Sequence, residues 1–217
     1  MSDPKVDGRF VPAREVRMLF PNLYEAKAVT RNGKAVGEPK FSARLKIAST
    51  DTKTIDAIKA KAVEVAKAHF GANVDLKSLK WPFTDGAKEA ERSKAKGKDG
   101  SIFEGGFIVT SRSKYQPRLS IFQGANKAPQ ELADATLAAA KGKFYSGCYV
   151  LPQLNFVAYD AVGEGGKPGV TAYLDQVMWV KDGERIGGSS AAEAFKGYQG
   201  SVTDENPLDT GLDDDAF

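Results

Sequence analysis

Between Lys40 and Ile47 apolar and polar residues alternate without a break. Phe41, Ala43, Leu45 and Ile47 fall on one side of an extended chain, and Lys40, Ser42, Arg44 and Lys46 on the other. That period of two predicts a strand with one buried face. Before it, Val16–Phe20 is a short apolar run ended by Pro21-Asn22, and residues 23–30 lead to the turn signal Arg31-Asn32-Gly33, which predicts one or two strands. After it the period changes. Ile55, Ile58, Ala62, Val65, Ala66 and Phe70 recur at helical spacing, behind the capping side chains of Ser49-Thr50-Asp51-Thr52 and ahead of Gly71, so a helix is expected. Residues 71–100 lose periodicity. Trp81-Pro82-Phe83 is their apolar anchor, and Lys88, Arg92, Lys94, Lys96 and Lys98 follow; we expect a long basic loop over residues 84–100. Phe103–Thr110 predicts a further strand, with Gly105-Gly106 allowing a bulge. Leu119 and Ile121 then alternate with Arg118, Ser120 and Phe122, and Pro129 opens an expected short helix, Gln130–Ala140. Phe144–Tyr159 and Val170–Lys181 predict a hairpin, with Cys148, Val150, Leu154 and Phe156 on one face, and with Tyr173 and Trp179 sharing a face of the last strand. Beyond Gly187-Gly188 no periodicity remains.

Short strands, Gly-rich turns and few helices favour a small barrel. The expected fold class is mainly β with short helices (α+β), a five-stranded OB barrel with an inserted basic loop; a sandwich is the competing architecture. The expected organisation is an N-terminal arm at 1–15, the barrel domain at 16–186 and a disordered acidic tail at 187–217.

Charge adds what periodicity lacks. The 217 residues carry 31 Lys+Arg and 28 Asp+Glu. Six of the acids (Asp204, Glu205, Asp209, Asp213, Asp214, Asp215) lie in residues 204–217, which hold no Lys or Arg. Residues 1–203 therefore set 31 cations against 22 acids, a formal +9, and residues 204–217 carry −6. A basic body attracts polyanions, nucleic acid foremost. The run Asp213-Asp214-Asp215-Ala216-Phe217 reads as a solvated interaction tail that covers the basic surface or reaches a partner.

Other chemistry is sparse. Cys148 is the one cysteine and His69 the one histidine, which rules out an internal disulfide and a zinc site built from His and Cys clusters. No metal or cofactor is expected. No signal peptide or apolar run of membrane-spanning length is visible, so a cytoplasmic protein with no membrane partner is expected. There is no Gly-x-x-x-x-Gly-Lys-Ser/Thr loop and no Gly-x-Ser-x-Gly elbow. The stretch Gly163–Gly169 reads as a hairpin loop, and His69 as a structural residue at a helix end. No enzyme is expected. What is present suits a single nucleic-acid strand, which needs cations for phosphates and exposed rings for bases. Lys40, Arg44 and Lys46 on one strand face, and Arg112, Lys114, Tyr115, Arg118 and Phe122 further on, supply both, with Trp81 as a further candidate ring. Tyr173 and Trp179 fit a core or interface role better.

Four separated blocks also resemble a known family. They are Phe20-Pro21-Asn22-Leu23-Tyr24-Glu25 with Lys27-Ala28-Val29; Lys40-Phe41-Ser42-Ala43; Tyr145-Ser146-Gly147-Cys148-Tyr149-Val150 with Asn155-Phe156-Val157-Ala158-Tyr159; and Asp182-Gly183-Glu184-Arg185-Ile186-Gly187-Gly188. Together they resemble bacteriophage single-stranded DNA-binding proteins with an OB fold, over about residues 16–190. The resemblance implies coating of single strands in phage replication and recombination, in the cytoplasm of the infected bacterial host. It also implies recruitment of replication proteins such as polymerase or helicase through Asp213, Asp214, Asp215 and Phe217. An RNA-binding or strand-annealing protein on the same barrel, an acidic-site nuclease and a pure interaction protein remain the alternatives. A barrel edge or the Trp179 face could pair two protomers into a homo-oligomer.

Overall fold

The structure is a computed structural model that describes residues 6–31, 34–161 and 166–187. The tail residues Asp213, Asp214, Asp215 and Phe217 lie outside the described residues. The elements in chain order are β1 (Arg9–Phe10), β2 (Val16–Arg31), β3 (Lys34–Ala48), α1 (Thr52–Phe70), β4 (Phe83–Asp85), α2 (Gly86–Lys94), β5 (Gly106–Ser113), β6 (Arg118–Ile121), β7 (Gln130–Glu131), α3 (Asp134–Leu137), β8 (Tyr149–Tyr159) and β9 (Gly169–Lys181).

Five strands close on themselves in the order β2–β3–β5–β9–β8, and β8 pairs back to β2 through Val16 and Val150. The ladders are antiparallel except β5–β9, where Ser111 faces Ala172 in parallel. This is a five-stranded mixed barrel of OB type, and the sandwich is set aside. The alternation that predicts β3 shows directly in its packing, since Ala43, Leu45 and Ile47 are all buried. They meet Met18, Val109, Val150, Leu154, Phe156, Ala172, Leu174 and Val177 in the interior. The α1 stripe (Ile55, Ile58, Ala62, Val65, Ala66) joins the same core, and the Asp51 side chain caps the helix by accepting from the Thr54 N–H at 3.2 Å.

Outside the barrel wall is a second, smaller core. Residues adjacent in sequence to the interior ones, Leu19 on β2 and Ile108 on β5, point the other way and are covered by Ala90 of α2 and by Phe103. The stretch expected as a basic loop is therefore largely built: β4 pairs with β5 and α2 docks on the outer face of the sheet. Its helix is short and polar, with only Gly86 and Ala90 buried, so tertiary contact rather than an apolar stripe holds it in place.

Five expectations change in detail. The strand expected from Phe144 begins only at Tyr149. β2 runs through Pro21 as one strand with shifted register between Leu19 and Asn22. Ser101–Phe103 forms a 3₁₀ turn, and β5 starts only at Gly106, after Gly105 at φ +65°, a value glycine adopts freely. The expected helix Gln130–Ala140 is reduced to the single turn of α3, with β7 before it. Tyr173 and Trp179 do not share a face. Gln153 pairs with Gln176 but Leu154 with Leu174, so Asp175 is an extra residue on β9. The slip of one flips the pleat: Tyr173 is exposed, whereas Trp179 packs against the interior core.

Candidate nucleic-acid interface

The outer face of β2, β3 and β5 is walled on one side by α2, and between them lies a groove of about 580 Å³. Arg44 and Lys40 from β3 and Arg112 from β5 line it, with Lys27 of β2 on the sheet side and Arg92, Lys96 and Lys98 from α2 and the turn after it. The register explains the convergence, because Ser42 faces Arg112 and Arg44 faces Thr110. The β3–β5 face is the surface an OB barrel uses for oligonucleotides.

One acid tempers this charge. The Glu89 carboxylate of α2, only 14% exposed at its side chain, pairs with Arg44 at 2.9 Å and Arg92 at 3.4 Å. The Arg44 guanidinium also lies over the Phe103 ring at 5.2 Å, a cation–π contact. Phe103 in turn meets Phe20 at 6.1 Å between ring centroids. Phe20 stands at the edge of the groove with 45% of its surface exposed.

A second groove of about 660 Å³ opens beside the first, lined by Lys114, Tyr115, Arg118, Tyr173 and Arg9 with Gln153, Asp175 and Gln176. Tyr115 is 83% exposed, the most exposed of the large apolar or aromatic side chains described. The two grooves adjoin. Ser111 and Ala172 are buried register partners on neighbouring strands, so the next residues, Arg112 of the first groove and Tyr173 of the second, face outward side by side. Glu38 of the first groove and Lys114 of the second form an ion pair at 2.7 Å. The hydrogen bond from Lys114 holds the Glu38 carboxyl below the usual carboxylate range and lifts the Lys114 ammonium above its own.

The expected site residues thus divide. Lys40, Arg44 and Arg112 line the first groove; Lys114, Tyr115 and Arg118 line the second. Lys46 is oriented differently. Its ammonium donates to the Ile102 carbonyl at 2.8 Å beneath the 3₁₀ turn, and burial lowers its pKa. The Trp81 ring stacks on Phe83 at 5.5 Å, packs against the interior core and donates to the Leu76 carbonyl at 3.1 Å. Phe122 is exposed at the end of β6 and lines neither groove. His69 pairs with Asp160 at 3.3 Å at the end of α1. Burial pushes the Cys148 thiol up to about 11, so it stays protonated and inert at neutral pH.

Sequence reasoning did not name Phe20, Glu89 or Arg9 as site residues, and gave Tyr173 a core or interface role. Phe20 and Glu89 are revealed only by the outward turn of β2 and the docking of α2. Among the described residues no group of three or more His, Cys, Asp and Glu could hold a metal ion, and no helix is long and apolar enough to cross a membrane.

Comparison with known proteins places this geometry in context. Residues 10–207 match the family described as Enterobacter phage Enc34, ssDNA-binding protein. A protein p50 of Acyrthosiphon pisum secondary endosymbiont phage 1 is 26% identical over 198 residues, which span 91% of this chain and 97% of p50. The single-stranded DNA-binding protein from bacteriophage Enc34, solved in complex with ssDNA, superposes with a TM-score of 0.61 at 23% identity, covering 83% of this chain and 90% of that one. A C-terminal truncation of the same Enc34 protein gives 0.59 at 21% identity, covering 86% and 97%. These superpositions establish a shared fold.

Proposed function

The chain belongs to the Enc34 phage ssDNA-binding protein family, and we propose that it binds single-stranded DNA across its two adjoining grooves without reading sequence. The observation that carries this reading is the juxtaposition of a cation-lined groove and a tyrosine-lined groove on one continuous outer face of the barrel. Lys40, Arg44 and Arg112, with Arg92, Lys96 and Lys98 opposite, receive phosphates. Tyr115 and Tyr173 offer faces on which bases stack, at about 1–3 kcal/mol each. Every base has such a face, so stacking does not select sequence; a duplex hides it, so stacking selects single strands. Lys46 is tied to the Ile102 carbonyl, Trp81 packs against the interior core, and Phe122 lines neither groove.

The wider role we propose is binding without catalysis in phage DNA replication and recombination, in the cytoplasm of the bacterial host. The strand is coated by the barrel, and replication proteins such as a polymerase or helicase are engaged through Asp213, Asp214, Asp215 and Phe217. The test is fluorescence anisotropy with oligo-dT, a duplex of equal length and a matched RNA, over a range of salt. Oligo-dT should bind tightest and lose affinity steeply as salt rises. Equal affinity for duplex would remove the stacking surface from the account. Tighter binding of the RNA would move the function to the RNA-binding alternative.

A further inference from the structure

We propose that Phe20 is a base-stacking platform of the first groove, held for that purpose in a strained backbone conformation; the proposal rests on the single-strand reading above. Phe20 is the one described non-glycine residue with positive φ, at +48°. That left-handed region is disfavoured for any residue with a Cβ, and more so for a bulky one. Pro21 follows it, and the residue before a proline ordinarily prefers an extended backbone. Two local preferences are thus overridden at one position.

The cause lies in β2. Its pairing with β3 breaks register between Leu19 and Asn22, and the Phe20 N–H donates to the Ser146 hydroxyl at 3.2 Å. Such irregularities re-aim a side chain. Leu19 and Leu23 on either side are buried to 0% and 1% exposure, so β2 is anchored without Phe20. The ring is instead turned outward and left 45% exposed. Backbone strain of this kind clusters at functional positions.

The ring is also supported. Phe103 meets it at 6.1 Å with the planes inclined by 51°, and the Arg44 guanidinium lies over the same Phe103 ring at 5.2 Å. A phosphate received by Arg44 therefore brings its nucleoside beside Phe20. The arrangement gives the cationic groove a ring of its own, at the end remote from Tyr115.

The experiment compares wild type with F20G, F20A, F20L and F20W by anisotropy against oligo-dT at several salt concentrations, and by thermal unfolding. F20G and F20L should bind about tenfold more weakly, one stacked base, with the salt slope unchanged. F20W should restore affinity, and its fluorescence should fall on saturation with oligo-dT by more than that of wild type, whose tryptophans are Trp81 and Trp179. F20G should melt above F20A, because glycine accepts the positive φ. Wild-type affinity in both F20G and F20L, or no added quenching in F20W, would overturn the platform. F20A melting at or above F20G would overturn the strain. A wild-type protein that fails to bind oligo-dT would instead overturn the single-strand reading itself.

Discussion

The two grooves differ in what lines them and in how they are built. The first gathers charge: Lys40, Arg44 and Arg112 on the sheet face Arg92, Lys96 and Lys98 beside α2. The second adds rings, with Tyr115 and Tyr173 beside Gln153 and Gln176 and among three further cations, Arg9, Lys114 and Arg118. Their construction differs too. The first depends on a separate small core, Leu19, Ala90, Phe103 and Ile108, that docks α2 onto the barrel. The second is written onto the barrel strands and the β5–β6 connection, where a single inserted residue, Asp175, turns Tyr173 outward. On the proposed reading, Arg44 and Arg112 of the barrel strands, with the cations beside α2, serve the backbone, and Tyr115 and Tyr173 serve the bases.

The largest expected effect breaks the first groove alone. Phe103 is 2% exposed and lies under both Arg44 and Phe20. Phe103→Ala should lower stability by about 3–5 kcal/mol, read by urea unfolding, and should weaken oligo-dT binding in the residual folded protein. A loss below 1 kcal/mol would mean that the α2 core does not support the fold. A smaller effect sharpens the contrast. Glu89 pairs with Arg44 and Arg92, the groups that the proposed function gives to phosphates, so Glu89→Gln should tighten oligo-dT binding about two- to fivefold and steepen its salt dependence. Weaker binding at unchanged melting temperature would show that Glu89 positions the arginines rather than competing for them.

The smallest effect concerns the Glu38–Lys114 pair between the grooves. The folded pKa of Glu38 is depressed by its Lys114 hydrogen bond. Its contribution is therefore fully present above the ordinary carboxylate value of about 4.3 and is lost as pH falls through the lowered one. An NMR titration of the Glu38 carboxyl should give a midpoint below that ordinary value, and Lys114→Met should return it. A midpoint that Lys114→Met leaves unmoved would remove the pair from the description.

Much of the barrel was legible in the chain because its interior depends on period. The β3 alternation from Ala43 to Ile47, the α1 stripe from Ile55 to Ala66 and the inward set Cys148, Val150, Leu154 and Phe156 are all buried, since burying one face fixes register; Phe41 and Phe70, at the ends of their patterns, are only half-buried. What escaped depends on single-residue departures from period and on tertiary support. The inserted Asp175 separates Tyr173 from Trp179, and no composition rule marks it. The outward turn of Phe20 arises from the break between Leu19 and Asn22, not from its own propensity. α2 is too polar and short to announce itself, although its Asp85 cap, which accepts from the Ala87 N–H at 2.8 Å, was a readable start signal. Of the expected cations, Lys40, Arg44, Arg112, Lys114 and Arg118 line a groove and Lys46 does not; of the expected rings, Tyr115 lines one, whereas Trp81 is packed against the core and Phe122 lines neither.

The division of labour is tested most directly by the salt dependence of oligo-dT binding in three proteins: wild type, R44A/R112A and Y115A/Y173A. With a slope of about 0.7 per phosphate on a single strand, removing both arginines should flatten the line by about 1.4. Removing both tyrosines should lower affinity at every salt concentration and leave the line parallel to wild type. Parallel displacement in both variants, or flattening in both, would contradict the assignment of phosphates to Arg44 and Arg112 and of bases to Tyr115 and Tyr173.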